Sequence, residues 1–364
     1  MIDTPYLAVD VDRLDRNIDA VATQARTSGL DLRPHTKTHK CAQIARRQLD
    51  AGAVGLTVAT IGEAEMFAAA LTSSRTDSAP VDLFIAYPLW VTATKGDRLQ
   101  ALAQQTRLRL AVDSVVGAQQ LAAGLGGSEV EVVVEVDSGQ HRTGVAPDDA
   151  GVVATAAADA GLQVVGVFTF PGHGYGPGDA RRRAAEQEIE ALSAAAQRLR
   201  DNGFDPIVRS GGSTPTIEFS GSGVLTEIRP GVYPFNDAQQ WELGSCTADD
   251  IALTAVATVV HRSGTRIVTD AGSKILGADR PPWVSGFGRL LDAPDAVVTS
   301  LSEHHAVIEY PAGHPVTSIP DPGATVHMVP NHVCTAVNLV DELIVPRDDG
   351  SAARWPVVAR GANS

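Results

Sequence analysis

An α/β chain whose first two thirds close into a (β/α)8 TIM barrel, followed by a mostly β domain, is the architecture this sequence predicts. Three observations carry the prediction. From about residue 12 to residue 235, short apolar runs alternate with longer stretches of helical periodicity. Those runs are rich in Val, Ile and Leu with little polar alternation, as in a parallel sheet covered on both faces. After about residue 245 the helical pattern gives way to strands separated by Gly-, Pro- and Asp-bearing turns.

The barrel strands are predicted at residues 32–36, 54–59, 82–87, 108–112, 131–136, 164–170, 207–210 and 226–229. Helices between them include residues 11–28, 61–71, 116–123 and 179–201. In the first helix Leu14, Ile18, Val21 and Ala25 recur at helical spacing and make one apolar face. Eight strands alternating with helices over this length fit a closed barrel; an open doubly wound sheet has the same periodicity and is the alternative. The second domain reads as strands at 251–261, 266–269, 306–309, 325–329 and 339–346, with no helix pattern between them. The domain boundaries that follow are 12–240 for the barrel, and 1–11 with 241–364 for the β domain.

Bulk properties narrow the function. The 364 residues are 44% hydrophobic and 20% charged, which suits a globular chain with a large core. A net charge of −14 argues against nucleic acid or an anionic membrane surface as partner, though a pocket can still be locally basic. No apolar run approaches the ~20 residues that span a bilayer. The start, Met1-Ile2-Asp3-Thr4-Pro5, has no basic-then-apolar segment. Cys41, Cys246 and Cys334 are odd in number and scattered, as in a reducing compartment. A cytoplasmic protein is expected.

The segment Arg33-Pro34-His35-Thr36-Lys37-Thr38-His39-Lys40 crowds basic and imidazole groups at the end of a barrel strand, the face where barrel enzymes work. Like charges from Arg33, His39 and Lys40 should disfavour the protonated Lys37, leaving the free amine that condenses with an aldehyde cofactor. A solvated basic loop fits the same residues. Together with Thr4-Pro5-Tyr6-Leu7-Ala8-Val9-Asp10, this string resembles the start of the D-threonine aldolase and D-serine dehydratase family, pyridoxal 5'-phosphate enzymes of the alanine racemase fold. The resemblance runs from about residue 4 to residue 339. It implies a barrel plus a β domain, Lys37 as the cofactor-bearing lysine, and a homodimer.

Other motifs take their meaning partly from that resemblance. Ser210-Gly211-Gly212-Ser213-Thr214 follows a strand and opens a short helix, where small residues let backbone N–H groups approach a phosphate; ordinary turns share this composition. Arg229-Pro230-Gly231-Val232-Tyr233 ends the eighth strand and is a second phosphate candidate, through Gly231, Val232 and Tyr233. The resemblance implies that Arg142 lies near the pyridine nitrogen, where a guanidinium cannot accept a proton and leaves the ring a weaker electron sink. It also implies that Tyr175 contacts the cofactor and His173 lines the substrate side. In His332-Val333-Cys334, a continuing strand would project imidazole and thiolate to one face, and that donor pair favours zinc. By itself H-x-C is a weak motif; by resemblance it is the metal pair, with manganese or another divalent ion as the alternative occupant. Dehydratase members resemble the His/Cys pair, whereas aldolase members more often carry a carboxylate second.

The function implied is a metal-assisted lyase of D-β-hydroxy amino acids, a dehydratase forming a 2-oxo acid and ammonia. Retro-aldol cleavage to glycine and an aldehyde is the alternative from the same parts. From other classes, a non-catalytic pyridoxal-phosphate homeostasis protein would lack the second domain, and a racemase would need no metal there.

Overall fold

Strand β1 (Tyr6–Val9) and helix α1 (Val11–Thr27) open the chain, and α1 buries Leu14, Ile18, Ala22 and Ala25 along one stripe. The computed structural model describes residues 2–72, 80–221 and 223–364. They divide into a barrel unit (Ala20–Lys37, Ile44–Gly231 and Gly361–Ser364) and a β unit (Met1–Asp19, Thr38–Gln43 and Val232–Arg360).

The barrel strands are β2 (Asp31–Leu32), β3 (Leu56–Val58), β4 (Val81–Pro88), β5 (Thr106–Val112), β6 (Glu131–Glu135), β7 (Gln163–Phe168), β8 (Val208–Gly211) and β9 (Glu227–Ile228). Among the described residues they form one parallel sheet in the order β2-β9-β8-β7-β6-β5-β4-β3. Past β2 the chain stays extended and pairs with β3: Val54 N–H donates to Leu32 O (2.9 Å), Thr57 N–H to Pro34 O (2.8 Å), and His35 bridges Thr57. The sheet therefore closes, and the open alternative falls. Helices α2 (Ala42–Asp50), α3 (Ile61–Thr72), α4 (Ala93–Ala103), α5 (Val115–Leu125), α6 (Ala150–Asp159) and α7 (Ala180–Asp201) lie between successive strands. Ser114 caps α5 by accepting from Gly117 N–H, and Thr92 caps α4 from Lys95 N–H.

The barrel interior mixes apolar side chains, including Phe84, Val133 and Phe168, with buried charge. Glu227 receives Arg33 Nε at 2.7 Å, Arg109 Nη1 at 3.2 Å and the Ser210 hydroxyl at 2.6 Å. Arg33 also reaches Asp82 and Arg109 reaches Glu131. Arg229 donates to Ser210 Oγ (2.8 Å) and to the Thr169 carbonyl, and lies over the rings of Phe84 and Phe168. Burial works to raise Glu227, but Arg33 and Arg109 hold it below the usual carboxylate range. For Arg229 burial prevails, lowering it to about 10 despite Glu227, Glu188 and Glu135.

In the β unit, β10 (Leu253–Ser263), β11 (Arg266–Thr269), β12 (Gly288–Leu290), β13 (Val297–Leu301), β14 (Ala306–Glu309) and β15 (Thr325–Pro330) close a small antiparallel barrel. The ring runs β10-β11-β14-β13-β12-β15 and returns to β10. β1 pairs antiparallel with β10 and parallel with β16 (Glu342–Pro346), and β17 (Ala352–Pro356) forms the edge. Helix α8 (Ala238–Glu242) precedes these strands, and the expectation of no helix between them is corrected by α9 (Ser273–Leu276) and α10 (Val333–Val337). At four or five residues each, they are too short for a 3.6-residue period to show. Among the described residues no helix is long and apolar enough to cross a membrane.

Removing the Glu227 charge leaves two buried guanidinium groups without their shared partner. Glu227→Gln is expected to cost about 3–5 kcal/mol in denaturant unfolding. Because Glu227 is depressed in the fold, its contribution is present above the unfolded-state value near about 4.3 and is lost as pH falls through the lower folded value. The wild type should lose stability below about pH 4, and the variant should show a flatter acid limb.

Candidate active site

Closure of the sheet puts residues 33–37 at the C-terminal end of the first barrel strand, where His35 N–H donates to Pro230 O at 3.0 Å. Lys37 lies in the 3-10 turn Thr36–Thr38, and the Thr36 hydroxyl ties that turn to the Thr57 carbonyl (3.1 Å). Lys37 Nζ is 5.4 Å from the ring centroid of Phe170, two residues beyond β7. Arg142 Cζ is 5.5 Å from the same centroid, and the Tyr175 ring 6.3 Å. One aromatic ring thus gathers the lysine, arginine and tyrosine that the sequence singled out. Phe170 itself was read only as the end of a strand.

Two expectations about the basic string change. Arg33 is buried and neutralised by Glu227 and Asp82, so it presents no bare like charge to Lys37. Lys40 has φ +48 and belongs to the β unit, where its ammonium donates to Asn338 Oδ1 at 2.8 Å.

The loop carrying Arg142 is fixed from within. Val145 N–H donates to Glu135 O, Asp137 N–H to Val145 O, and the Thr143 hydroxyl to Glu135 Oε1 (2.9 Å). Asp137 accepts from the N–H groups of Gly139 and His141 and pairs with the His141 ring at 2.7 Å. Burial raises Asp137, and these donors outweigh it, so it stays below the usual range. Glu135 goes the other way: burial lifts it to about 7 despite Thr143 and Arg142, and its Oε2 has no hydrogen-bond partner among the described residues. His173 lies in the 3-10 turn Gly172–Gly174, its Nε2 2.8 Å from Gln187 Oε1. With Gln187 assigned as the acceptor, Nδ1 keeps a lone pair; that atom is buried and has no partner among the described residues.

The two phosphate candidates leave neighbouring strands, since Gly211 of β8 pairs with Ile228 of β9. Glu188 on α7 occupies the space beneath the first. A Cβ on Gly211 would stand 2.3 Å from Glu188 Oε1, and Gly212 has φ +75. Gly212 N–H donates to Glu188 Oε1 at 2.6 Å and Ser213 N–H to Thr216 Oγ1 at 3.0 Å. Those two amides, which the sequence offered to a phosphate, turn inward. Thr214 opens the turn Thr214–Phe219, the position whose N–H a helical turn leaves pointing outward. Burial pushes Glu188 up to about 7 against the Gly212 bond and Arg229. In the second candidate, Gly231 belongs to the barrel unit, and Val232 and Tyr233 are buried residues of the β unit.

The continuing strand expected through His332 and Cys334 does not form. His332 is extended (φ −133, ψ 108) and caps α10, and Cys334 lies in its first turn. Asp237 causes this break by accepting Val333 N–H at 3.2 Å, which starts the helix. Imidazole and thiol remain close enough that Cys334, chiefly, lifts His332 well above its usual range, with Asp237 adding and burial opposing. Cys334 Sγ is 3.3 Å from the Thr38 hydroxyl. Among the described residues no group of three or more His, Cys, Asp and Glu side chains could hold an ion. The pair therefore supplies two donors, which fits a metal that keeps positions open for water and substrate.

An eight-stranded parallel barrel bearing a lysine at its first strand end, and a β unit carrying an imidazole–thiol pair, agree with the pyridoxal-phosphate enzymes of the alanine racemase fold that the sequence resembles. Residues 9–238 match the alanine racemase N-terminal domain family and residues 252–346 a serine dehydratase domain. The chain is 34% identical to the D-threo-3-hydroxyaspartate dehydratase of Delftia sp. (strain HT23), over 97% of each chain. The solved structure of that enzyme superposes with a TM-score of 0.87, covering 98% of this chain and 97% of the other. It is 33% identical to a D-threonine aldolase from Arthrobacter sp., over 99% of this chain and 93% of the relative. A D-threonine aldolase structure from Filomicrobium marinum gives a TM-score of 0.86 at 30% identity, covering 99% and 96% of the two chains. The chain belongs to this family of pyridoxal-phosphate-dependent lyases of D-β-hydroxy amino acids.

The Glu188 contact yields a direct test. Gly211→Ala must displace the Glu188 carboxylate or the loop, an overpacking cost of roughly 1–3 kcal/mol. A lower melting temperature and weaker pyridoxal phosphate binding are expected, read by calorimetry and by titrating the cofactor absorbance.

Proposed function

We propose that the chain is a D-β-hydroxy amino acid dehydratase, with Lys37 bearing the cofactor and zinc held by His332 and Cys334. The observation that carries this reading is Cys334, a sulfur donor beside an imidazole. A solved cysteine-to-alanine variant of a D-threo-3-hydroxyaspartate dehydratase is in a metal-free form, and another solved variant replaces a histidine two positions earlier. The spacing is that of His332 and Cys334.

When bound, the cofactor supplies an electron sink at the substrate Cα and the metal a Lewis acid at the β-hydroxyl. Lys37, with its amine free, would remove the α-proton as general base. Arg142 would face the ring nitrogen as a donor only, and Tyr175 would lie against the cofactor. Thr214, Gly231, Val232 and Tyr233 would hold the phosphate, while Gly212 and Ser213, whose amides turn inward, shape the loop. Loss of the α-proton and the β-hydroxyl forms water, and the released enamine hydrolyses to a 2-oxo acid and ammonia.

A second reading, retro-aldol cleavage, is favoured by His173. Its Nδ1 lone pair is the kind of base that would take the β-hydroxyl proton. The proposal includes a cytoplasmic homodimer, supported by three free cysteines and by the family resemblance.

Lys37→Ala is expected to lose the visible absorbance of the bound cofactor, whereas Lys40→Ala, whose ammonium is engaged by Asn338, should keep it. Chelation should remove activity while retaining that absorbance, and zinc should restore turnover. With D-serine, D-threonine and D-3-hydroxyaspartate, a 2-oxo acid is the expected product. Glycine and aldehyde as the dominant products would replace the dehydratase reading by the aldolase one.

A further inference from the structure

Asp237 belongs to neither the cofactor site nor the metal pair, yet its side chain is completely buried. It follows Asn236, which has φ +53, and is itself extended (φ −155, ψ 177). Its Oδ1 accepts Gln240 N–H at 2.9 Å and so starts α8. Its Oδ2 accepts Val333 N–H at 3.2 Å and lies 3.3 Å from His332 Nδ1, an ion-pair distance rather than an aligned hydrogen bond. A single carboxylate therefore begins two helices and faces one nitrogen of the imidazole. Asn331 steadies the same segment by donating to the carbonyls of Asp279 (2.8 Å) and Gly286 (3.0 Å).

A carboxylate can only accept, so the nitrogen facing it is the one that carries the proton. We propose that Asp237 is the positioning residue of the metal pair: it fixes His332 with its proton on Nδ1 and its lone pair on Nε2, and by starting α10 it sets the bearing of Cys334. This rests on the reading of His332 and Cys334 as metal ligands. A histidine ligand whose far nitrogen donates to a carboxylate has a fixed ring plane and a more basic donor nitrogen, and losing such a partner typically weakens metal binding about 10–100-fold. The capping contact ties the two donors together, because Val333, which Asp237 holds, lies between them in the chain.

The test measures zinc dissociation constants on the cofactor-loaded protein by competition with a chromophoric chelator. The wild type, Asp237→Asn, His332→Ala and Cys334→Ala are compared, each with its melting temperature. The tautomer of His332 is read separately by nitrogen-15 NMR on zinc-loaded wild-type protein with labelled histidine, where one ring nitrogen binds the metal and the other carries the proton. The expected results are an Nδ1–H tautomer, loss of stoichiometric zinc in the His332 and Cys334 variants, and about 10–100-fold weaker zinc in Asp237→Asn with cofactor absorbance retained. Wild-type zinc affinity in Asp237→Asn, alongside loss in His332→Ala, would overturn this proposal and leave the metal pair standing. Unchanged zinc binding in the His332 and Cys334 variants would remove both. An Nε2–H tautomer in the wild type would overturn the proposal whether or not the Asp237 variant folds.

Discussion

The barrel is organised around the carboxylate of Glu227. It sits at the first position of β9 and receives groups from the end of β2, from β5 and from β8. Asp82 and Glu131, near the starts of β4 and β6, complete the ring of charge. Buried ion pairs of this kind contribute little net stability, because desolvation offsets the attraction. What they fix is which strand lies beside which, and at what offset. With the strands held in register by these contacts, their C-terminal ends are held as well, since each strand rises by a constant amount per residue. The loops bearing Lys37, Arg142 and Phe170 leave from those ends.

Helix α7 is a second organising element. Gln187 and Glu188 are consecutive; one touches His173 and the other holds the amide of Gly212. A single helix thus supports the loop after β7 and the loop after β8. Glu188 and Glu135 each have an oxygen without a partner among the described residues, and burial lifts both to about 7. Their ionisation opposes the fold as pH rises from the ordinary glutamate range towards neutrality, the reverse of the Glu227 dependence. Buried groups that are expensive to keep charged often cluster near functional loops.

Much of this was legible in the sequence. All eight barrel strands lie where apolar runs predicted them, because strands buried on both faces need continuous Val, Ile and Leu. Lys37, Arg142 and Tyr175 were nameable from motifs, and they gather at one ring. The strands β12, β13 and β17 escaped because three to five residues with polar or Gly positions give no periodic signal. The alternation expected across His332 and Cys334 failed for a different reason. A carboxylate 96 residues away in the chain starts a helix there, and nothing local announces it. Arg33, Phe170, Glu188 and Asp237 share that property, since their neighbours in space, not in sequence, define what they do.

The way the chain is divided has a consequence for its synthesis. It crosses between the two units after residues 19, 37, 43, 231 and 360, so neither unit is a contiguous segment. β1 leaves the ribosome long before its partners β10 and β16, which begin at residues 253 and 342. Until those strands have emerged, Leu7 and Val9 remain an unpaired apolar edge, the type of segment that invites pairing with another nascent chain. Pairing over such separations also slows folding, because a long loop must close before its contacts repay the entropy. A gene fragment ending at the apparent barrel boundary would strand that first segment, so this barrel is not a module that can be cut out and reused.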